Sequence, residues 1–281
     1  MDHSTGDQKA EEAVVEELIR TCAELSIPIS SHCEDASINA GAGDANTDTD
    51  VSAHSAMRPP ESEEAAIAYG IGLAAKHGAT FHVAHLSTMQ GADLVRQAKA
   101  DGLSITCEVA PHHLFLSTDD YETLGTLGKM NPPLRTKDHC EQLWRAISDG
   151  TVDCIATDHA PHLLDEKQAG PPLSAPSGVP GVETMLPLLL SVAADRWPHP
   201  TSVDCSCALT YEDIARLCFE APNRIFQLGK QGIEEGASAN VSFVFPEDSW
   251  TIHGDKLQTK CKWSPYEGWN VTGRAAVLTA A

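Results

Sequence analysis

The stretch CIATDHAPH, residues 154–162, places an aspartate and two histidines at the end of a short apolar run. The run that leads into it is brief and partly β-branched, as is typical of a buried strand. The polar residues Asp158, His159 and His162 are of types that bind metal ions and transfer protons. A buried strand that ends in a polar cluster recurs along the chain, and this recurrence predicts the fold.

Four segments share the pattern: residues 27–32, 80–87, 103–111 and 152–161. A helical pattern precedes each of them, over residues 10–26, 62–78, 89–102 and 138–150. Regular alternation of helix and strand predicts an α/β fold with parallel strands. Such proteins carry their chemistry at the carboxyl ends of the strands, where all of these polar clusters fall.

Three of the strand-end residues form a candidate metal site: His32, His85 and Asp158. Two imidazoles and a carboxylate suit zinc, or manganese, cobalt or iron in the same geometry. The ion would lower the pKa of a bound water to about 7, and the aspartate would move its proton. These residues suggest metal-assisted hydrolysis. His82 lies three positions before His85, so strand alternation turns it to the opposite face and favours a packed role.

Composition excludes several classes of function. A formal charge of −21, from 40 acidic and 19 basic residues, argues against nucleic acid or an anionic membrane as partner. No apolar run approaches the roughly 18 residues of a membrane span, and the first residues lack the features of a signal peptide. Nine cysteines without a CxxC pair are expected to be free thiols in a reducing cytoplasm.

The remaining segments predict two units. Residues 1–230 would form the α/β part, with further helices at 182–197 and 210–228. The Gly-, Pro- and Ser-rich loop 163–181 is either a lid over the site or a plain surface connection. Residues 231–281 alternate or run apolar between turns, which predicts a small β appendage.

Several motifs together resemble one family. The chain contains SHCED, HVAHLST, EVAPHHLFL, KMNPPLR, IATDHAPH and GVPGVETMLPLLL. In combination they resemble the dihydroorotases of the amidohydrolase superfamily, from about residue 1 to 270. The resemblance implies a metal-dependent (β/α)8 barrel with a small β-sandwich. It also implies reversible interconversion of L-dihydroorotate and N-carbamoyl-L-aspartate in pyrimidine synthesis.

The resemblance also implies roles for individual residues. His32 and His85 match histidines that ligate one or two Zn²⁺ ions, and Asp158 matches the aspartate that binds metal and acts as general acid and base. Further positions match residues that contact the substrate or line its pocket: Asn131, His162, Pro180 and Gly181.

The chain departs from the family pattern in three respects. No His-x-His is present, although the family takes two metal ligands from that motif and follows it with a substrate-binding arginine. No residue clearly supplies the bridging carboxylate, for which Asp2 is a weak candidate. The pattern contains four strand–helix units, whereas a closed barrel has eight in about 250 residues. We therefore expect strands 5–8 of the barrel with part of the sandwich, without the amino-terminal third, and little activity from this chain alone.

Two alternatives to a dihydroorotase remain open. One is an allantoinase- or dihydropyrimidinase-type cyclic amidohydrolase, against which Asn131 in NPPLR argues. The other is a dihydroorotase-like scaffold without catalysis that binds a partner enzyme such as a carbamoyltransferase, which the missing His-x-His would favour. A homo-oligomer is compatible with each of these interpretations.

Overall fold

A parallel sheet forms the centre of the molecule. The computed structural model describes residues 11–198, 200–203, 208–230, 232–237 and 240–279. Within them the sheet has the order β1-β2-β3-β4, and every neighbouring pair is parallel. Its strands are β1 (Ile29–Ser31), β2 (Phe81–Val83), β3 (Ile105–Val109) and β4 (Cys154–Ile155). The predicted α/β class with parallel strands is confirmed.

The helices that alternate with these strands lie where the sequence pattern predicts them. Each begins and ends within a few residues of its predicted bounds: α1 (Glu12–Leu25), α4 (Pro60–His77), α5 (Met89–Ala100) and α8 (Lys137–Ser148). Helix α4 ends at Gly78, whose φ of 69° is the left-handed conformation that a glycine cap adopts. Helical periodicity was therefore a sufficient signal for these four elements.

The strands are shorter than the apolar runs that predicted them. The run 80–87 yields only the three residues of β2, because the chain turns out of the sheet at its polar end. The run 152–161 yields the two residues of β4. Apolar character marks burial, and in both segments burial extends beyond the ladder of strand hydrogen bonds.

Several short helices lie in segments for which no element was predicted: α2 (Ala36–Ala45), α3 (Ala53–Met57), α6 (Pro111–Phe115), α7 (Tyr121–Leu124) and α9 (Leu164–Gln168). The predicted helix 182–197 is α10 (Met185–Ala193). The predicted helix 210–228 is divided into α11 (Tyr211–Ala215), a π-helical turn (Arg216–Glu220) and α12 (Ala221–Ile225).

One continuous core packs the helices on the sheet. Its largest fully buried side chain is Trp144 of α8, whose indole nitrogen donates to Leu114 O at 3.0 Å. The rings of Phe115 and Trp197 lie 5.3 and 5.5 Å from that of Trp144. The core is therefore continuous from the helical layer to the segment after β3, which carries candidate site residues.

The carboxyl-terminal segment forms an antiparallel ribbon of β5 (Asn240–Thr251) and β6 (Asn270–Thr279). Strand β5 continues past Pro246 with an irregularity in its register between Phe245 and Ser249. Proline cannot donate to a strand ladder and is tolerated at such a bulge. The ribbon packs on α10, where Thr272 N donates to Ser191 Oγ at 2.6 Å. The boundary at residue 230 stays a prediction.

Three sequence predictions concern termini and cysteines. Within the part of the chain that the structure describes, none of the helices has the length and apolar character to cross a bilayer. The cysteines described there are free thiols. Asp2, the weak candidate for a bridging carboxylate, and two of the nine cysteines, Cys205 and Cys207, lie outside the described residues.

Two glycines provide a matched test of helix packing. A methyl group at Gly91 in α5 would lie 2.6 Å from Leu86 Cδ1 and 2.8 Å from Ile67 Cδ1, whereas one at Gly72 in α4 would meet nothing within 4 Å. We expect Gly91→Ala to lower the free energy of unfolding by about 1–2 kcal/mol through overpacking. Gly72→Ala should raise it by up to about 1 kcal/mol through helix propensity. Urea denaturation measures both free energies of unfolding. Equal changes in the two variants would contradict the tight packing around Gly91.

Candidate active site

The carboxyl ends of the parallel strands bring the predicted histidines together. His32 directly follows β1, and His85 follows β2 after one residue, at the same edge of the sheet. His32 Nδ1 lies 3.1 Å from His85 Nε2, and the two rings meet edge to face. The sheet register explains why the two rings approach each other. Ser31, directly before His32, pairs with Val83, two residues before His85.

A buried carboxylate lies in ion-pair contact with the first of these histidines. Glu34 is fully buried, and its Oε2 lies 2.8 Å from His32 Nε2. The same carboxylate accepts from Arg58 Nη2 at 2.6 Å. A carboxylate on one ring nitrogen of a histidine fixes the tautomer and leaves the other nitrogen to bind a ligand. His32 Nδ1, which faces His85, is therefore the nitrogen available as a metal ligand.

The second histidine is held as a neutral ring. His85 is buried, and burial, followed by the facing His32, lowers its pKa to about 3. A neutral imidazole has a lone pair that a metal ion can accept. Two such nitrogens 3.1 Å apart are at the spacing that two ligands of one ion adopt at metal–nitrogen distances of about 2.0–2.1 Å.

Asp158 lies after β4 and beside the segment that follows β3. Its Oδ2 is 3.8 Å from Nε2 of His112, which is fully buried on α6. Burial, and then the charge of Glu108, raises the pKa of Asp158 to about 7, while His32 acts in the opposite direction. A carboxyl that titrates near neutral pH is suited to accept and return a proton.

Backbone conformation also marks two of these residues. His85 has a φ of 35° and Asp158 a φ of 44°, so both are in the left-handed region. Residues other than glycine enter that region at a cost, and such residues are concentrated at functional sites. Both residues therefore leave their strands through a turn that the surrounding packing maintains.

The donor set fits a divalent ion in part. His32 and His85 present two nitrogens at ligand spacing. Within the described ranges, however, no three His, Cys, Asp or Glu side chains converge closely enough to hold a metal ion. Asp158 thus has suitable chemistry but does not complete a three-ligand group with the two histidines. The predicted three-residue ligand set stays a prediction.

Asn131, a predicted substrate contact, is held by a histidine that sequence reasoning missed. His54 Nε2 donates to Asn131 Oδ1 at 2.8 Å and to Met130 O at 3.0 Å. Burial, and then the nearby Lys129, lowers the pKa of His54 to about 4, so this histidine is neutral. The Asn131–Pro132 peptide is cis. No pattern around His54 distinguished it from a surface histidine.

Hydrogen bonds join the two segments that carry the predicted pocket residues after β4. His162 Nε2 donates to Ser177 O at 3.1 Å. Gly181 N donates to His159 Nδ1 at 3.0 Å. Pro180 is buried between these contacts. The structure thus joins the segment that carries Asp158 and His162 to the segment that carries Pro180 and Gly181.

His82 and Arg135 have structural contacts. His82 is fully buried between Thr106 Oγ1 at 2.8 Å and Glu108 Oε2 at 3.2 Å, as strand alternation predicts. Arg135, the arginine of NPPLR, donates to Ser87 Oγ at 3.1 Å and to the carbonyl of Arg58 at 2.5 Å. Its guanidinium therefore braces the turn after His85.

Comparison with curated proteins places the chain among cyclic amidohydrolases. It is 42% identical over 266 residues to a dihydroorotase of Halobacterium salinarum, covering 94% of this chain and 58% of the relative. It is 36% identical over 283 residues to a dihydroorotase of Methanosarcina mazei, covering 95% of this chain and 58% of that protein. The chain thus spans less than two thirds of these relatives. No family model matches it.

Solved structures agree on the fold. The L-hydantoinase of Arthrobacter aurescens matches with a TM-score of 0.88 and 25% identity, over 96% of this chain and 60% of that chain. A D-hydantoinase from Thermus sp. matches with a TM-score of 0.86 and 25% identity, over 96% and 59%. These matches confirm the predicted part of a (β/α)8 barrel with part of a small β-sandwich. Over its matched span, the chain is homologous to dihydroorotases and shares its fold with hydantoinases.

Proposed function

We propose that this chain carries the strand 5–8 part of a dihydroorotase, which interconverts L-dihydroorotate and N-carbamoyl-L-aspartate in pyrimidine synthesis. The identity of 42% to the dihydroorotase of Halobacterium salinarum is the observation that carries the proposal. The approach of His32 to His85 supports it, because that pair suits a metal-dependent hydrolase. The hydantoinase matches favour the fold equally but have lower identity, 25%.

Hydrolysis of the cyclic amide requires a proton to move from water to the leaving nitrogen. We assign this transfer to Asp158, since a pKa of about 7 lets the carboxyl take the proton from water and return it to nitrogen. His32 Nδ1 and His85 Nε2 would hold a divalent ion, which we propose is Zn²⁺. When bound, the ion polarises the amide carbonyl and lowers the pKa of water.

We assign the substrate contacts to Asn131, His162 and the backbone at Pro180 and Gly181. Gly181 has no room for a side chain, because a Cβ there would lie 2.8 Å from Thr157 O. The Asn131 amide already has its oxygen fixed by His54, so its orientation is set before a ligand arrives. Such preorganisation lowers the entropic cost of binding.

The proposal extends to location and partners. We place the protein in the cytoplasm, since its described cysteines are free thiols. The substrate is a small molecule, and the charge of −21 argues against nucleic acid and membrane partners. We propose a second copy of the chain or a carbamoyltransferase as the macromolecular partner. Light scattering of the purified chain, with and without the transferase, tests both.

A substrate panel tests the reaction. The purified chain, loaded with zinc, is assayed with N-carbamoyl-L-aspartate, dihydroorotate, hydantoin and allantoin. Turnover of the first two alone, lost in Asp158→Asn, would support a dihydroorotase. Turnover of hydantoin or allantoin would favour the alternative cyclic amidohydrolase. Zinc binding without turnover is the result expected of a partial barrel alone, and binding of a carbamoyltransferase in the light-scattering experiment would then favour the scaffold.

Zinc affinity tests the histidine pair independently of turnover. We expect His85→Ala to weaken zinc binding at least about tenfold, because it removes one of two facing nitrogens. His253→Ala is the matched control, since His253 is half exposed and contacts Glu267 on the surface. Competition with a chromophoric chelator measures both affinities. Equal zinc affinity in the two variants would show that the His32–His85 pair does not bind the ion.

A further inference from the structure

The loop 163–181 contains a fully buried lysine. Lys167 has no exposed surface, although it lies in α9 within a segment predicted to be a lid or a plain surface connection. Its Nζ donates to Lys129 O and Pro176 O at 2.8 Å and to Gly178 O at 3.1 Å. Lys167 Nζ therefore links α9 to the carboxyl-terminal part of the loop and to Lys129.

A second lysine, Lys129, binds the same loop from outside its sequence. Lys129 Nζ donates to Leu173 O at 2.8 Å and to Ala175 O at 2.6 Å. The carbonyl of Lys129 accepts from Gly178 N at 3.0 Å and from Lys167. The two lysines thus bind backbone carbonyls of the loop from residue 173 to residue 178, so one anchor lies inside the loop and the other outside it.

The anchored loop leads directly to a predicted substrate residue. Lys167 Nζ lies 5.8 Å from the centre of the Trp263 ring, within the range of a cation–π contact. Trp263 Nε1 donates to His162 O at 2.8 Å, and His162 Nε2 donates to Ser177 O at 3.1 Å. Lys167 therefore contacts both the residue that holds the His162 backbone and the loop that holds its ring.

The loop also fits tightly against the segment that carries Asp158. Gly178 has a φ of 136°, and a Cβ there would lie 2.5 Å from Ala160 O. Ala160 N donates to Val179 O at 3.0 Å, and Gly181 N donates to His159 Nδ1. These contacts pack the two segments tightly together, so they fix the conformation of the loop backbone beside the site.

We propose that Lys167 is a positioning residue, which holds residues 176–181 and His162 as a fixed wall of the substrate pocket. The loop is then a permanent part of the site and not a lid that opens. The role of this wall in binding substrate rests on the proposed function. The anchoring of the loop by Lys167 rests only on its hydrogen bonds and packing.

Hydrogen exchange tests the anchoring. Lys167→Met approximately keeps the side-chain volume and removes the hydrogen-bond donors. Lys99→Met is the matched control. Lys99 also donates to a backbone carbonyl, Thr151 O at 2.7 Å, but lies far along the chain from this loop. We expect the amides of Ala160, Gly178 and Gly181 to exchange at least about tenfold faster in Lys167→Met only. Amides of α8 (Lys137–Ser148) should keep their protection in both variants, which excludes global unfolding.

Ligand binding tests the positioning. N-carbamoyl-L-aspartate is titrated into the zinc-loaded wild-type chain and into both variants. We expect Lys167→Met to raise the Kd at least about tenfold with unchanged zinc content, a combination that mere instability would not produce. Equal exchange of the Ala160, Gly178 and Gly181 amides in Lys167→Met and Lys99→Met, or an unchanged Kd beside faster exchange, would overturn the proposal. If the wild-type chain bound no ligand, the proposed function would fail, and the exchange result alone would decide whether Lys167 anchors the loop.

Discussion

Glu34→Gln is expected to lower the free energy of unfolding by about 3 kcal/mol, because it removes the charge of a buried carboxylate that contacts two cationic or polar partners. Glu34 is fully buried, and Arg58 Nη2 and Nε donate to its carboxylate at 2.6 and 3.1 Å. Arg58 is itself only 12% exposed, so water replaces little of the lost interaction. Urea denaturation at neutral pH measures the change.

The same substitution is expected to weaken zinc binding by about 10- to 100-fold, because His32 loses the carboxylate that fixes its ring. Glu24→Gln is the matched control, because Glu24 forms an exposed pair with Arg20 on α1 and such pairs contribute little to stability. Equal unfolding free energies and zinc affinities in the two variants would show that the Glu34 network neither stabilises the fold nor orients His32.

Much of the site was predictable because it depends on strand ends. A parallel sheet places the residue after each strand at one edge, so His32 and His85 had to lie near each other once their strands paired. The sequence supplies both strands and their order. The distance between the rings follows from a register that apolar runs cannot specify to one residue.

The carboxylate and lysine partners were not predictable for a different reason. Glu34 follows His32 by two residues, but Arg58 reaches it from a segment between α3 and α4, and α2 and α3 were not predicted. The sequence of α2 is rich in glycine, alanine and polar residues and has weak amphipathic character. Tertiary packing stabilises this helix, so no local pattern showed where Arg58 would lie.

Lys167 shows the same limit in a loop. Glycine, proline and serine correctly predicted the absence of long elements in residues 163–181, but composition does not distinguish a mobile loop from an anchored one. The difference lies in five hydrogen bonds from two lysines to carbonyls that are distant along the chain or across the loop. A buried lysine among turn residues is visible only once the chain is folded.

The buried ammonium of Lys167 is expected to make stability rise with pH between about 7 and 10. Burial, and then the nearby Lys129, lowers the pKa of Lys167 from 10.5 to about 7. Between these values the unfolded chain binds more protons at this position than the folded chain, so the free energy of unfolding increases with pH. Below pH 7 both states are charged, and the full cost of burying the charge is present.

The expected rise is at most about 1.4 kcal/mol per pH unit and on the order of 4 kcal/mol across the window. Other groups titrate in this range, so the informative quantity is the difference in unfolding free energy between the wild-type chain and Lys167→Met. Titrations common to both chains cancel in that difference.

Urea denaturation from pH 6.5 to 10 measures this difference in unfolding free energy. Lys99→Met, which removes an ammonium paired with Asp153, controls for loss of a lysine. A difference that did not change with pH would show that Lys167 binds its proton equally in the folded and unfolded states. The carbonyl contacts of its Nζ would then fully compensate the loss of water around the charge.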